Sequence, residues 1–169
     1  MASGDLTYRQ PRSAERGAML YNVAAGTPIY AGEPVQVRTL STPTVVEPAL
    51  TNTPDASAHL YVGIAATNST NTTSASGTVE VNPISSKDAI LGNPDVAATW
   101  DTQTEYDALV GARVLIKNSV SVTATPTSGT YTLLASDSAN NGCVVQPLDI
   151  FKNPGKVAFC FRDSTNYLT

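Results

Sequence analysis

Residues 157–161 read Val157-Ala158-Phe159-Cys160-Phe161, and this stretch sets the fold class. A period of two places Val157, Phe159 and Phe161 on one face and Ala158 and Cys160 on the other, the pattern of a strand closing over a core. Moving back along the chain, Asn140-Asn141-Gly142 is a turn signal before Cys143-Val144-Val145-Gln146. Ser128-Gly129 leads into Tyr131-Thr132-Leu133-Leu134, and Val120-Ser121-Val122-Thr123-Ala124 alternates after Asn118-Ser119. Ala112-Arg113-Val114-Leu115-Ile116-Lys117 reads as a further strand. Short strands separated by turn residues at this spacing predict an all-β sandwich or barrel.

The first half follows the same plan. Leu60-Tyr61-Val62-Gly63-Ile64-Ala65 is a continuous apolar run of strand length, the signature of a central strand. Thr78-Val79-Glu80-Val81 alternates, with both valines on one face. Ala25-Gly26-Thr27-Pro28 and Ala31-Gly32-Glu33-Pro34 punctuate Ile29-Tyr30, and Val35-Gln36-Val37-Arg38 alternates. Prolines 43, 48 and 54 make residues 41–58 an exposed loop with one short strand at Val45-Val46. Two places read as helical. Ser86 to Leu91 is expected to make one turn, and Asp101-Thr102-Gln103-Thr104-Glu105 starts a short helix that Gly111 closes.

Residues 1–20 differ from the rest. They hold three of the six arginines, lack strand alternation, and read as an extended arm that orders on meeting a partner. Residues 21–169 then form a single β-rich domain. Leu6, Tyr8, Arg9, Arg12 and Arg16 are the candidate contacts, because they combine apolar, aromatic and guanidinium chemistry suited to an interface.

Composition narrows the function. The 169 residues carry net charge −4 with 14% charged side chains, so duplex DNA and anionic membranes are poor partners. No apolar run approaches the ~20 residues of a membrane helix. One histidine, His59, and two distant cysteines cannot build a zinc site without carboxylates in most positions. In the reducing cytoplasm expected for a chain without an apolar leader, Cys143 and Cys160 read as free, partly buried residues.

Catalytic patterns fare no better. No Gly-x-Ser-x-Gly elbow and no phosphate-cradling loop occurs, so neither a catalytic residue nor a cofactor is expected. Asp101 and Glu105 share a helix face, but acidic residues at a helix start serve the positive N-terminus. Residues 137–142 resemble a calcium loop only until Ala139 takes the third ligand position and Leu148 the twelfth. Trp100 with Tyr106 reads as a packing anchor rather than a stacking platform.

Ala25-Gly26-Thr27-Pro28-Ile29-Tyr30-Ala31-Gly32-Glu33-Pro34-Val35, with Val62-Gly63-Ile64-Ala65-Ala66-Thr67 and Gly155-Lys156-Val157-Ala158-Phe159, resembles the capsid decoration, or cement, proteins of tailed bacteriophages. The resemblance spans residues 20–161 in pattern. It implies a small antiparallel β-barrel or sandwich, β-tulip or jelly-roll-like, with one short helix and the N-terminal arm. It also implies a virion structural protein without an active site, made in the host cytoplasm. Such a protein binds the major capsid protein on the capsid exterior and self-associates, as a trimer by preference or as a dimer. The alternative from another class is a glycan- or host-surface-binding module of a fibre or spike. Residues 67–76 and 136–142 would then form its recognition edge, with Trp100 or a tyrosine on the sugar.

Overall fold

The computed structural model describes residues 7–10, 17–38, 44–49, 60–84, 88–95, 100–119, 129–134 and 142–162. Among these residues the fold is all-β with one short helix. Its strands are β1 (Thr7–Gln10), β2 (Met19–Val23), β3 (Pro34–Val37), β4 (Val45–Pro48), β5 (Tyr61–Ala65) and β6 (Gly77–Pro83), then β7 (Ala89–Pro94). After them come α1 (Gln103–Leu109), β8 (Arg113–Asn118), β9 (Tyr131–Leu134), β10 (Cys143–Val145) and β11 (Val157–Phe161).

The strands close into two five-stranded barrels. The first runs β2-β4-β3-β5-β6 and back to β2. The second runs β7-β11-β10-β8-β9 and closes by pairing β9 with β7, while β1 lies outside that closure on β7. Closure pairs most of the strand edges that, left exposed, make small β proteins prone to aggregate. Each barrel has its own core. Val23, Ile29, Val35, Val37, Val46, Val62, Val79 and Val81 fill the first. The second gathers larger rings, including Tyr106, Tyr131, Phe159 and Phe161.

The two barrels repeat one another strand for strand. In each, chain order translates to the spatial order first, third, second, fourth, fifth, with first and third parallel and every other pair antiparallel. The register repeats as well. Val37 lies opposite Val46 as Ile116 lies opposite Leu133, and Val35 opposite Gly63 as Val114 opposite Cys143. Ala65 faces Val81 as Val145 faces Phe159, and Asn22 faces Val45 as Asn93 faces Thr132. Gly32 and Gly111 both hold φ of +86°, a left-handed conformation that glycine adopts without a Cβ penalty. Each opens the second strand of its barrel with the same reciprocal bonds. Gly32 N donates to Ala65 O at 2.8 Å and Ala65 N returns to Glu33 O at 2.9 Å; Gly111 N donates to Val145 O and Val145 N to Ala112 O, both at 3.0 Å.

The outer face of the first barrel packs on the second. All five residues of β5 are buried because both of its faces are covered. Val62 and Ala65 join the first core, whereas Tyr61 and Ile64 join the second, where Tyr61 stacks on Phe161 with ring centroids 4.4 Å apart. Polar groups across this junction are paired. The buried Glu33 carboxylate accepts from Tyr30 N at 2.9 Å and from Gly129 N at 3.2 Å. Ala49 O accepts from Tyr131 Oη at 3.0 Å and from Asn118 Nδ2 at 3.3 Å.

Several expectations change. Of the helical turn expected over residues 86–91, Ser86 and Lys87 lie outside the described residues, and Ala89–Leu91 belong to β7, since pairing with β11 on one edge and with β1 on the other outweighs weak local helix preference. Not all pairs are antiparallel, as each barrel has one parallel pair. Within the stretch read as an arm, Thr7–Gln10 pairs with β7, and Met19–Leu20 already belong to β2. The strand expected at residues 120–124 and the loop at 136–141 lie outside the described residues.

Candidate interaction surface

The helical end of the second barrel carries the most exposed large apolar side chain among the described residues. Thr102 caps α1: its Oγ1 accepts from Glu105 N at 3.2 Å and donates to Glu105 Oε2 at 2.7 Å. The hydrogen bond from Thr102 holds the Glu105 carboxyl below its ordinary range, while sharing a hydrogen bond with Glu105 pushes Asp101 up. The Asp101–Glu105 pair thus belongs to the helix start. Thr102→Ala is expected to cost about 1 kcal/mol in urea unfolding without changing the fold.

Tyr106 is the buried residue of α1 and fixes the helix to the barrel. Its Oη donates to Gln146 O and accepts from Ala158 N, both at 2.9 Å. Trp100 is buried against it, with centroids 5.9 Å apart, so Trp100 is a packing anchor and not a sugar platform. Gln103 ties the helix to the following loop, donating from Nε2 to Leu148 O at 2.9 Å and accepting at Oε1 from Ile150 N at 3.1 Å. Asp149 Oδ1 then accepts from Phe151 N at 3.1 Å and from Lys152 N at 3.3 Å, tightening a turn that holds Phe151 out. The Phe151 ring is 82% exposed. It stands between two shallow clefts, one of about 320 Å³ lined by Trp100, Ile150 and Pro154, the other of about 550 Å³ lined by Pro147 and Leu148.

The corresponding end of the first barrel is polar and bonded to itself. Ser69 Oγ accepts from Ile29 N at 2.9 Å, Asn68 Oδ1 from Ala31 N at 3.0 Å, and Asn71 Nδ2 donates to Ala24 O at 2.7 Å. These amide and hydroxyl groups hold one loop to the other, and so are engaged where sugar recognition would use them. The second exposed apolar site is at the start of β2, where Met19 is 46% and Leu20 67% exposed. Sequence periodicity placed neither site, because exposure depends on which neighbours cover a strand or a turn.

Of the residues expected to touch a partner, Tyr8 and Arg9 fall on β1 beside β7. Leu6, Arg12 and Arg16 lie outside the described residues, as does His59. Among the described residues no group of three or more His, Cys, Asp and Glu side chains comes together to hold a metal, and no helix is long and apolar enough to cross a membrane. Cys143 and Cys160 are buried, and neither is in a disulfide. Cys143 lies opposite Phe161 and Cys160 opposite Val144, so the two point to opposite faces of neighbouring strands. Burial pushes the Cys143 thiol well above its ordinary range, which keeps it protonated and unreactive. In comparisons with protein-family models, curated proteins and solved structures, nothing matches this chain.

Proposed function

We propose that this chain is a non-enzymatic virion structural protein that binds the outer surface of a bacteriophage capsid and stabilises contacts between capsomers. The observation that supports this reading is the exposure of Phe151 on a turn that Asp149 and Gln103 hold in place. A large aromatic side chain in water, presented by a fixed turn between clefts, is the form of a protein-binding anchor. Two closed barrels, each with its own core and joined where Tyr61 and Ile64 of β5 enter the second, make a firm base for such an anchor, so little ordering entropy opposes docking. The resemblance of residues 20–161 to decoration proteins supplies the capsid as the partner. Self-association, as a trimer by preference, belongs to the same proposal, since each oligomer then touches several capsid subunits and adds weak contacts.

Cosedimentation with expanded, undecorated heads tests it. Phe151→Ala is expected to weaken binding by about 2 kcal/mol, close to thirtyfold, while its unfolding free energy stays within about 0.5 kcal/mol of wild type. Deleting residues 2–16 removes β1 and the three arginines but leaves both barrel closures intact, and is expected to abolish binding. Full occupancy by the truncated chain would refute the arm's role. Saturable glycan binding by the isolated protein would favour the fibre-module reading instead.

A further inference from the structure

Among the described residues, the repeat is unequal at one edge of the first barrel. Met19 faces Val81 and Leu20 faces Glu80, as Ile90 faces Phe159 and Leu91 faces Ala158. On the opposite edge the third strand covers only the far end of the first: β4 pairs with Asn22 and Val23, β9 with Asn93 and Pro94. The near end of β7 carries β1 on that edge, with Thr7 opposite Leu91, Tyr8 opposite Ile90 and Gln10 opposite Ala89. At the near end of β2 no described strand takes this place.

Burial follows the difference. Ile90 is fully buried and Leu91 packs partly buried against the second core, whereas Met19 and Leu20 stand open. The residues themselves match, Ala18-Met19-Leu20 against Ala89-Ile90-Leu91. Backbone direction points the same way. Asn22 N donates to Thr44 O at 3.0 Å on this edge, so two-residue alternation aims the N–H and C=O of Leu20 at it as well. No described residue bonds those two groups there.

We propose that the open edge of β2 at Ala18–Leu20 is a strand-accepting site, on which an extended segment of a partner protein adds antiparallel as β1 adds to β7. β1 defines the chemistry that fits: a small polar residue opposite Leu20 and an aromatic one opposite Met19. A second copy's β1 is a poor occupant, because moving it to β2 vacates β7 with no net gain in pairing. Two β2 edges paired with each other would bury far less than the ~1,200 Å² of a stable interface. The partner's identity as a capsid subunit rests on the function proposed above; the acceptor site itself does not.

The test uses the full chain labelled with ¹⁵N and an acetylated peptide with the sequence of residues 5–12 as the probe. Saturable amide shifts at Ala18, Met19 and Leu20, with slowed solvent exchange of the Leu20 amide, are expected. Leu20→Pro removes an N–H that points away from β6, so the barrel ladder survives, and peptide affinity is expected to fall about tenfold or more. Leu20→Glu serves as a second variant that keeps the N–H and places a charge on the edge. Absence of saturable shifts at Ala18–Leu20, shifts confined to β1 and β7, or shifts indifferent to both variants would overturn the site. Heads bound by wild type but not by Leu20→Glu would support the capsid subunit as the strand donor. Heads that bind both alike would overturn that assignment. Heads that bind neither, with peptide binding intact, would overturn the proposed function and leave the acceptor site standing.

Discussion

Tyr61→Ala is expected to lower the unfolding free energy by about 3–5 kcal/mol, the usual cost of emptying a buried aromatic site. Tyr61 belongs to a strand of the first barrel, yet its ring lies in the second core on Phe161. The substitution therefore removes packing from both units and opens a void where they meet. Trp100, the single tryptophan, sits in the second barrel's core cluster, so its fluorescence reports that barrel alone, while far-ultraviolet circular dichroism reports both. Both probes are expected to give one coincident urea transition in wild type and to shift together in Tyr61→Ala. A variant in which the tryptophan transition stays at its wild-type midpoint would show that the barrels fold independently. That result would contradict a junction built on this ring.

Gly63→Ala is expected to cost about 3 kcal/mol, the upper end of the range for overpacking a well-filled site. A Cβ at Gly63 would run into the carbonyl oxygen of Asn82 and come within 2.9 Å of Val81 Cγ1. Asn82 belongs to the neighbouring strand β6, so backbone rather than a flexible side chain would have to yield. The second barrel provides the internal contrast. Cys143 occupies the position equivalent to Gly63 and carries a side chain, opposite Val114 as Gly63 is opposite Val35. The strand position as such tolerates a Cβ; the close approach of β6 forbids it here. Cys143→Ala, which removes one sulfur from a buried site, is expected to cost less, and comparing the two by urea unfolding checks the argument. Equal costs would show that the clash relaxes without penalty.

Much of the strand content was legible because period two survives in single residues. Val79 and Val81 face inward around the exposed Glu80, as their alternation predicts. The helix was legible from its start, where Asp101-Thr102-Gln103-Thr104-Glu105 offers a cap and acidic residues in the first turn, and from Gly111 beyond its end; that Thr102 is the cap, bonded both ways to Glu105, came from the structure. β7 was not legible. Ser86–Leu91 contains residues suited to a helix, and only pairing with β11 and β1 makes the second half of it a strand. The repeat also escaped the sequence. Matched positions such as Val35 and Val114, or Gly32 and Gly111, share identity, but Val37 with Ile116 and Val81 with Phe159 share only their apolar character. Register is conserved by geometry here, and side chains are free to differ in size as long as each core is filled.

The candidate surface was the least legible part. Phe151 reads as an ordinary loop residue until Asp149 and Gln103 are seen to hold its turn outward. Leu20 reads as part of an arm until its counterpart Leu91 is found beneath β1. What the sequence by itself determined is local: most of the strands, which face of each of these is apolar, and where glycine and proline break them, since these follow from dihedral preference and side-chain period. Only the tertiary structure decided that the strands divide between two barrels, that β5 is buried on both faces, and that one edge carries β1 where no described strand covers its twin. Those outcomes depend on pairings between residues far apart in the chain, and a strand's alternation specifies its own faces without specifying its neighbours.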